Sequence, residues 1–140
     1  MVGLVLVSHS RQIAQAAAEF AEKVSTKTDI PISIAGGVGD DRKEFGTDPT
    51  DIIDAINKVY SKEGVIILMD LGSAVISARM ALELIDEDKA KNIVLCSAPL
   101  IEGAIGAAVQ IAAGSNIQDI KEEALNSLIA KQSEIGDVEL

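Results

Sequence analysis

The sequence predicts an α/β fold, specifically an open three-layer α/β/α sandwich with a mainly parallel sheet. Four aliphatic runs indicate buried strands, segments of helical periodicity alternate with them, and glycines or polar residues separate the two. This alternation favours a parallel sheet with helices on both faces, for which we expect the flavodoxin-like strand order 2-1-3-4. The 140 residues suit a single domain, predicted over residues 1–131, with a C-terminal tail over 132–140.

The first predicted elements are a strand, a helix and a second strand. Val2 to Val7 is a continuous aliphatic run, as in strands that are buried on both faces. Apolar residues then recur at helical spacing over 11–25, where Ser10 is a suitable N-cap. Residues 30–35 form the second strand, and Pro31 indicates either the start of that strand or an edge position.

The middle of the chain carries a long loop, a helix and a third strand. Residues 36–48 are polar and rich in glycine, and loops of this length inside a compact domain are usually functional or mobile. Thr47 or Asp48 can cap a helix that has Pro49 in its first turn, runs on through Val59 and is stopped by Glu63 and Gly64. The aliphatic run 65–69 is the third strand.

The last part of the chain adds three helices and a fourth strand. A helix is predicted from Ser73 to Ile85, followed by a solvated connection over 86–91. Residues 92–97 form the fourth strand, and a helix of small residues over 100–113 permits close packing. A last helix is predicted to begin at Ser115 or Asn116 and to end at Leu128.

Composition restricts the class of partner. The formal net charge is −10 and aromatic residues make up 2%, whereas nucleic acids and anionic membranes bind to basic surfaces. We therefore expect no nucleic acid and no membrane among the partners. Cys96 and His9 are the only cysteine and histidine, too few for a structural zinc site within one chain. No targeting segment and no apolar run of about 20 residues is evident, so we expect a cytoplasmic protein.

Two side chains follow the first and third strands directly: His9 and Asp70. In the strand order 2-1-3-4 these strands are neighbours, and the crevice above their carboxyl ends is the usual ligand site. We therefore expect the imidazole and the carboxylate to converge. A carboxylate that accepts a bond from one ring nitrogen fixes the tautomer and leaves the other nitrogen as an unprotonated nucleophile.

Backbone amides around this pair predict an anion cradle, because N–H groups at helix starts and in glycine turns bind phosphate oxygens. The candidate phosphate-binding residues are Ser10, Gly36, Gly37, Gly72 and Ser73. Together with the imidazole and the carboxylate, this cradle favours transient phosphorylation of a histidine. Taken singly, each residue also has a structural interpretation, as a helix cap, a turn or a surface histidine.

Five segments, in this order along the chain, resemble one known family. They are Leu4–Ser10, Ala35–Gly37, Gly46–Asp48, Met69–Ala74 and Ala98–Gly103. The set is similar to the phosphoryl-carrier subunits (DhaM) of phosphoenolpyruvate-dependent dihydroxyacetone kinases, in the mannose-type IIA family of the bacterial phosphotransferase system. The resemblance implies that His9 is the phosphorylated residue and that Asp70 holds the ring so that Nε2 takes the phosphoryl group.

The same resemblance implies the partners. His9 would receive phosphate from the carrier protein HPr and pass it to ADP bound in the nucleotide subunit of the kinase, DhaL, while the DhaK subunit binds dihydroxyacetone. The resemblance further implies a homodimer with no metal and no cofactor in this subunit. Some family members carry HPr-like and enzyme-I-like domains, and we expect HPr and enzyme I to act here as separate proteins. Arg79 lies where the family commonly has an acidic residue, which indicates a partner-facing surface.

Other functions compete with this interpretation. A sugar-specific mannose-type IIA protein would share the fold and the histidine chemistry, although Asp70–Ala74 and Ala98–Gly103 favour the kinase branch. A tetrapyrrole metal chelatase also places a histidine after its first strand, but that chemistry normally needs further metal-binding side chains. A two-component receiver is disfavoured because the first strand lacks the acidic pair that would hold Mg²⁺. A binding module in which His9 is inert stays open.

Overall fold

The computed structural model describes residues 1–27 and 29–136. The first half contains β1 (Gly3–Ser8), α1 (Arg11–Val24), β2 (Ile32–Gly36) and α2 (Pro49–Val59). The second half contains β3 (Val65–Met69), α3 (Ser73–Leu84), α4 (Glu87–Ala90), β4 (Ile93–Cys96), α5 (Leu100–Ala112), α6 (Ile117–Leu125) and α7 (Ser127–Ile135). Within the described ranges, none of these helices has the length and apolar character that crossing a bilayer requires.

The four strands form one parallel sheet in the order β2-β1-β3-β4, which confirms the predicted topology. Val7 of β1 pairs with Ala35 of β2 on one side and with Met69 of β3 on the other. The winding reverses between β1 and β3, so the residues that follow these two strands meet at the carboxyl edge. β2 lies at the edge of the sheet, and Pro31 precedes its first residue.

Alternate side chains of the sheet pack into two separate cores. Leu6 and Leu68 belong to the core that faces α1, α5 and α6. Val7 and Met69 belong to the core that faces α2 and α3. All buried residues of α1 are alanines, so this helix can lie close to the sheet. Helices therefore cover both faces, as the uninterrupted aliphatic strands predict.

The caps of the first two long helices hold the ends that border the carboxyl edge. The Ser10 side chain accepts a hydrogen bond from the Ile13 amide, which confirms its capping role for α1. Asp48 rather than Thr47 caps α2, because its side chain accepts from the Thr50 amide. Both helices thus begin next to the carboxyl ends of the strands.

Two parts of the second half differ from the prediction. The segment 86–91 contains the short helix α4, because the Asp86 side chain caps it by accepting from the Asp88 amide. The last helix is divided at Asn126 into α6 and α7, and α7 continues to Ile135, within the segment predicted to be a tail. The rest of that predicted tail, 137–140, lies outside the described residues.

An ion pair attaches α7 to α5. Lys131 of α7 donates a hydrogen bond to Glu102 of α5, and that bond lowers the pKa of Glu102. Because the folded-state pKa is depressed, the pair supports the folded state above the ordinary glutamate pKa, and this support is lost as the pH falls through the lowered value. Glu102 belongs to the Ala98–Gly103 segment, one of the five that resemble the family. Its ion pair with Lys131 gives this residue a structural role in the fold.

Candidate active site

His9 and Asp70 lie side by side at the carboxyl edge of the sheet. The Asp70 amide donates to the Val7 carbonyl at 3.0 Å, which extends the pairing of β1 and β3 by one residue. His9 Nδ1 lies 2.9 Å from Asp70 Oδ1, and the two side chains are 32% and 21% exposed. The predicted convergence of the two side chains is confirmed, while their roles in a reaction stay predictions.

Three donors from the described part of the chain hold the Asp70 carboxylate. Its Oδ2 accepts from the Ser8 hydroxyl at 2.8 Å and from the His9 amide at 3.0 Å, while Oδ1 faces His9 Nδ1. An ionised carboxylate can only accept hydrogen bonds, so Nδ1 must carry the proton of this contact. In the neutral ring Nε2 then keeps its lone pair, and the arrangement can present a nucleophilic nitrogen.

The hydroxyl of Ser73 lies 2.6 Å from His9 Nε2. It is the donor to a neutral ring, because Nε2 is then the unprotonated nitrogen. Gly72, which precedes it, has φ 59° and ψ −115°, and the Ala74 amide bonds to the Leu71 carbonyl at 3.2 Å. These are the features of a type II′ turn, which favours glycine at this position. The turn therefore places Ser73 at Nε2.

The amides of the N-cap and of the first residue of α3 have no backbone acceptor among the described residues. Within the part of the chain that the structure describes, no protein carbonyl accepts from the amides of Gly72 or Ser73. Such amides attract anions, because they are unsatisfied and lie at the positive end of the helix dipole. Gly72 and Ser73 stay the predicted phosphate-binding residues of this helix start.

Gly36 and Gly37 do not form the predicted part of the cradle. The Gly36 amide donates to Asp51 Oδ2 at 2.9 Å, and the Gly37 amide donates to the Gly46 carbonyl at 2.9 Å. Because each N–H already has an acceptor within the protein, neither is free for phosphate. Gly37 has a steric reason to be glycine: its φ is 76°, and a Cβ there would collide with the Arg42 carbonyl.

Ser10 is nearly buried and makes its hydrogen bonds to Ser8 and to the first turn of α1. Its Oγ accepts from the Ile13 amide at 3.3 Å, its amide donates to the Ser8 hydroxyl at 3.1 Å, and it is 9% exposed. The cap is therefore its observed role, and its contact with phosphate stays a prediction.

The glycine-rich loop over 36–48 is attached to the site at two points. The Gly46 amide donates to the His9 carbonyl at 2.9 Å. The Thr47 hydroxyl lies 3.1 Å from the Ser73 carbonyl oxygen and 2.7 Å from the Ser77 hydroxyl. The loop thus holds the backbone of His9 and the start of α3. Sequence reasoning gave Thr47 only as a possible helix cap and as part of the Gly46–Asp48 segment, and it did not single out Ser77, because no local pattern signals a contact between residues 30 positions apart.

A buried carboxylate anchors the start of this loop. Oδ2 of Asp51, in the first turn of α2, accepts from the Gly36 amide at 2.9 Å and from Arg11 Nη1 at 3.2 Å. Arg42 Nη1 lies 4.0 Å from the same oxygen and 3.2 Å from Asp48 Oδ2. Asp51 is 8% exposed, and a buried carboxylate needs such partners. Sequence reasoning missed it, since an acidic residue in a first turn is ordinarily explained by the helix dipole.

We expect Asp51→Ala to lower the free energy of unfolding by about 2–4 kcal/mol. The change leaves the Gly36 amide without an acceptor, whereas Arg11, 34% exposed, regains contact with water. Urea denaturation followed by circular dichroism measures the difference. Asp54→Ala is the matched control, because Asp54 is exposed on the same helix, and its effect should stay within about 0.5 kcal/mol. Equal stability of the two variants would contradict the anchoring role.

Metal-binding chemistry has no candidate residues among those described. Across 1–27 and 29–136, no three His, Cys, Asp or Glu side chains are grouped as the ligands of a metal ion. Cys96 is 1% exposed, which agrees with the packing role that its aliphatic surroundings predict.

Comparisons with known proteins agree on one family. The EIIA-man family model, described as the PTS system fructose IIA component, matches residues 3–121. The phosphoryl donor subunit DhaM of a PEP-dependent dihydroxyacetone kinase is 42% identical over 98% of this chain in Providencia stuartii, and 38% identical over 97% in Escherichia coli. The chain spans 29% of the length of each of these two relatives. A DhaM of Listeria innocua is 37% identical over 90% of this chain and 98% of its own length.

Solved structures resemble this fold as well. A crystal structure of a protein of unknown function has a TM-score of 0.76 and 40% identity, and the match covers 90% of this chain and 95% of the other. A sigma-54 interaction domain protein from Enterococcus faecalis has a TM-score of 0.68 at 12% identity, covering 98% of this chain and 97% of the other. The second likeness concerns the fold alone.

Proposed function

The chain belongs to the EIIA-man family of phosphotransferase-system IIA components, and from this membership we propose that His9 carries a phosphoryl group from HPr to ADP. In this proposal the ADP is bound in the DhaL subunit of a dihydroxyacetone kinase. One observation carries the proposal: Asp70 holds Nδ1 at 2.9 Å, so that Nε2 is the nitrogen available as a nucleophile, and the exposed Ser73 hydroxyl is hydrogen-bonded to it at 2.6 Å.

The relatives favour the kinase branch over other members of the family. Those from Providencia stuartii, Escherichia coli and Listeria innocua are each described as phosphoryl donor subunits of PEP-dependent dihydroxyacetone kinases. The first of them is 42% identical over 98% of this chain. By this similarity the protein acts as a phosphotransferase subunit in the cytoplasm, within glycerol metabolism.

Charging begins with the lone pair of His9 Nε2. It attacks the phosphorus of the donor's phosphohistidine, the donor N–P bond breaks, and its electron pair returns to the donor imidazole. The ring of His9 becomes a phosphoimidazolium, whose positive charge faces the Asp70 carboxylate across 2.9 Å. No proton has to move, because Nδ1 holds the same proton before and after the transfer.

Discharge reverses the bond changes on a new acceptor. An oxygen of the β-phosphate of ADP attacks phosphorus, the Nε2–P bond breaks, and its electron pair returns to Nε2. The ring is neutral again and the product is ATP. Asp70 serves both directions, since it stabilises the cationic ring without removing its proton.

Ser73 and the start of α3 supply the anion contacts of the phosphorylated state. When Nε2 bonds to phosphorus it no longer accepts a hydrogen bond, so the Ser73 hydroxyl turns to a phosphoryl oxygen. The amides of Gly72 and Ser73 lie at the positive end of a 12-residue helix, where in this proposal they lower the energy of the negative oxygens. This subunit needs no metal or cofactor of its own in the proposal, and it acts as a homodimer.

The proposed function predicts a specific route for the phosphate. Incubation with phosphoenolpyruvate, enzyme I and HPr is expected to add one acid-labile phosphoryl group, measured by intact mass. Addition of a DhaL–ADP complex then discharges the protein and forms ATP, measured by loss of that mass and by a luciferase assay. DhaL without ADP is the control and leaves the protein charged.

The acceptor of the phosphoryl group distinguishes the kinase function from the competing function in sugar transport. The family model is described as a fructose IIA component, which keeps sugar transport among the candidate functions. The charged protein is therefore also incubated, in a parallel reaction, with a mannose-type IIB subunit of a sugar transporter. Discharge to IIB and not to DhaL–ADP would replace the kinase assignment with the sugar assignment. A protein that takes up no phosphate from HPr would contradict the carrier function itself.

A further inference from the structure

A buried hydroxyl lies behind the histidine–aspartate pair. Ser8 is the last residue of β1 and is fully buried, at 0% exposure. Its Oγ donates to Asp70 Oδ2 at 2.8 Å and accepts from the Ser10 amide at 3.1 Å. The hydroxyl proton is therefore committed to the carboxylate, because the Ser10 amide can only donate.

The contacts of Asp70 divide cleanly between its two oxygens. Among the described residues, Oδ2 receives two donors, the Ser8 hydroxyl and the His9 amide, whereas Oδ1 receives the imidazole alone. A carboxylate is planar, so holding Oδ2 also sets the direction of the Oδ1 lone pairs. Without the Ser8 hydroxyl, the His9 amide alone would hold Oδ2, and rotation about the Cβ–Cγ bond would become easier.

We infer that Ser8 is a positioning residue, which keeps Asp70 in the orientation that selects the Nδ1–H tautomer of His9. The inference rests on the proposed function for its consequence, since an unprotonated Nε2 matters only if that atom is the nucleophile. Ser8 does not touch the transferred group. It acts through Asp70, and its place at the end of β1 ties the orientation of the carboxylate to the strand itself.

The predicted effect is a partial loss of the reactive tautomer. Ser8→Ala is expected to slow phosphoryl uptake from HPr on the order of tenfold, the size of one hydrogen bond to a charged group. The same variant should show a larger population of the ring with its proton on Nε2. Ser8→Thr keeps the hydroxyl and is expected to restore both quantities towards those of the unmodified protein.

Nuclear magnetic resonance measures the tautomer directly, because the chain has a single histidine. In ¹⁵N-labelled protein at pH about 9, where imidazoles are ordinarily neutral, the unmodified protein should give a protonated-type Nδ1 signal and an unprotonated-type Nε2 signal. In Ser8→Ala the two ¹⁵N shifts should move towards each other. Unchanged shifts together with an unchanged uptake rate would overturn the inference.

A replacement variant and the use of the free protein ensure that the experiment decides the role of Ser8. If Ser8→Ala does not fold, Ser8→Cys replaces it: a thiol is a weak donor, so a smaller shift in the same direction is expected, and unaltered ¹⁵N shifts would overturn the inference. The tautomer measurement uses the free protein without donor or acceptor. It therefore decides the role of Ser8 even if the transfer assays contradict the proposed function.

Discussion

We expect His9→Gln to abolish phosphoryl uptake from HPr, to below the detection limit of intact mass spectrometry. Glutamine has a similar reach and still forms hydrogen bonds, but its amide nitrogen has no lone pair available for attack. Since His9 is the only histidine, no other imidazole can replace it. The measurement is the mass of the protein after incubation with phosphoenolpyruvate, enzyme I and HPr.

The neighbouring serine sets the control for this experiment. Ser73 Oγ lies 2.6 Å from Nε2, so the experiment has to distinguish a phosphoryl group on His9 Nε2 from one on the Ser73 hydroxyl oxygen. A phosphoserine survives acid treatment, whereas a phosphohistidine does not, and the two are separated by brief acidification. Ser73→Ala is expected to retain acid-labile uptake. Retention of full acid-labile uptake by His9→Gln, in a protein with unchanged circular dichroism, would remove His9 from the mechanism.

Asp70→Asn is expected to slow phosphoryl uptake by about 10⁴-fold, the loss that the matching change causes in a Ser-His-Asp triad. The Ser8 hydroxyl and the His9 amide both donate to Oδ2, so the asparagine oxygen has to occupy that position. Its NH₂ group then faces Nδ1 and donates to it. Nδ1 becomes the acceptor, the proton moves to Nε2, and the nucleophilic lone pair is lost.

Asp70→Ala separates this tautomer effect from a mere loss of charge. Alanine leaves the ring free to adopt either tautomer, so its uptake should be slower than that of the unmodified protein but faster than that of Asp70→Asn. Quenched-flow measurement of phosphoryl uptake from HPr gives all three rates. An asparagine variant as fast as the alanine variant would contradict the assignment of the Nδ1–H tautomer, and unchanged rates in both would remove Asp70 from the reaction.

The sequence carries enough information for the sheet and for the central pair. Strands that are buried on both faces need uninterrupted aliphatic runs, and for this reason β1 and β3 can be predicted from the sequence alone. In the flavodoxin-like strand order that we expect for such an alternation, the residues after β1 and β3 must be neighbours. His9 and Asp70 were therefore predictable, although they are 61 positions apart.

The rest of the site depends on side-chain partners that no periodicity encodes. From the glycines at 36 and 37 we predicted free backbone amides. In the structure these amides have acceptors: Asp51, which lies on α2, and Gly46, which lies at the far end of the loop. Ser8 gave one signal, as a hydroxyl at the end of an aliphatic run. That signal does not show which way the hydroxyl points. The continuation of the helical chain to Ile135 was missed because the ion pair of Lys131 with Glu102, which attaches α7 to α5, is also a tertiary contact.

The attachment of the loop to His9 has a consequence for the stability of the site as a unit. Three chain segments meet there: the end of β1, the turn before α3, and the loop that bonds to the His9 carbonyl and the Ser73 carbonyl. Local opening of any one segment releases contacts of the other two, so they should behave as one cooperative unit in native-state hydrogen exchange. The lifetime of a competent site is then set by the least stable of the three segments, and the loop belongs to that unit although it contributes no reacting group.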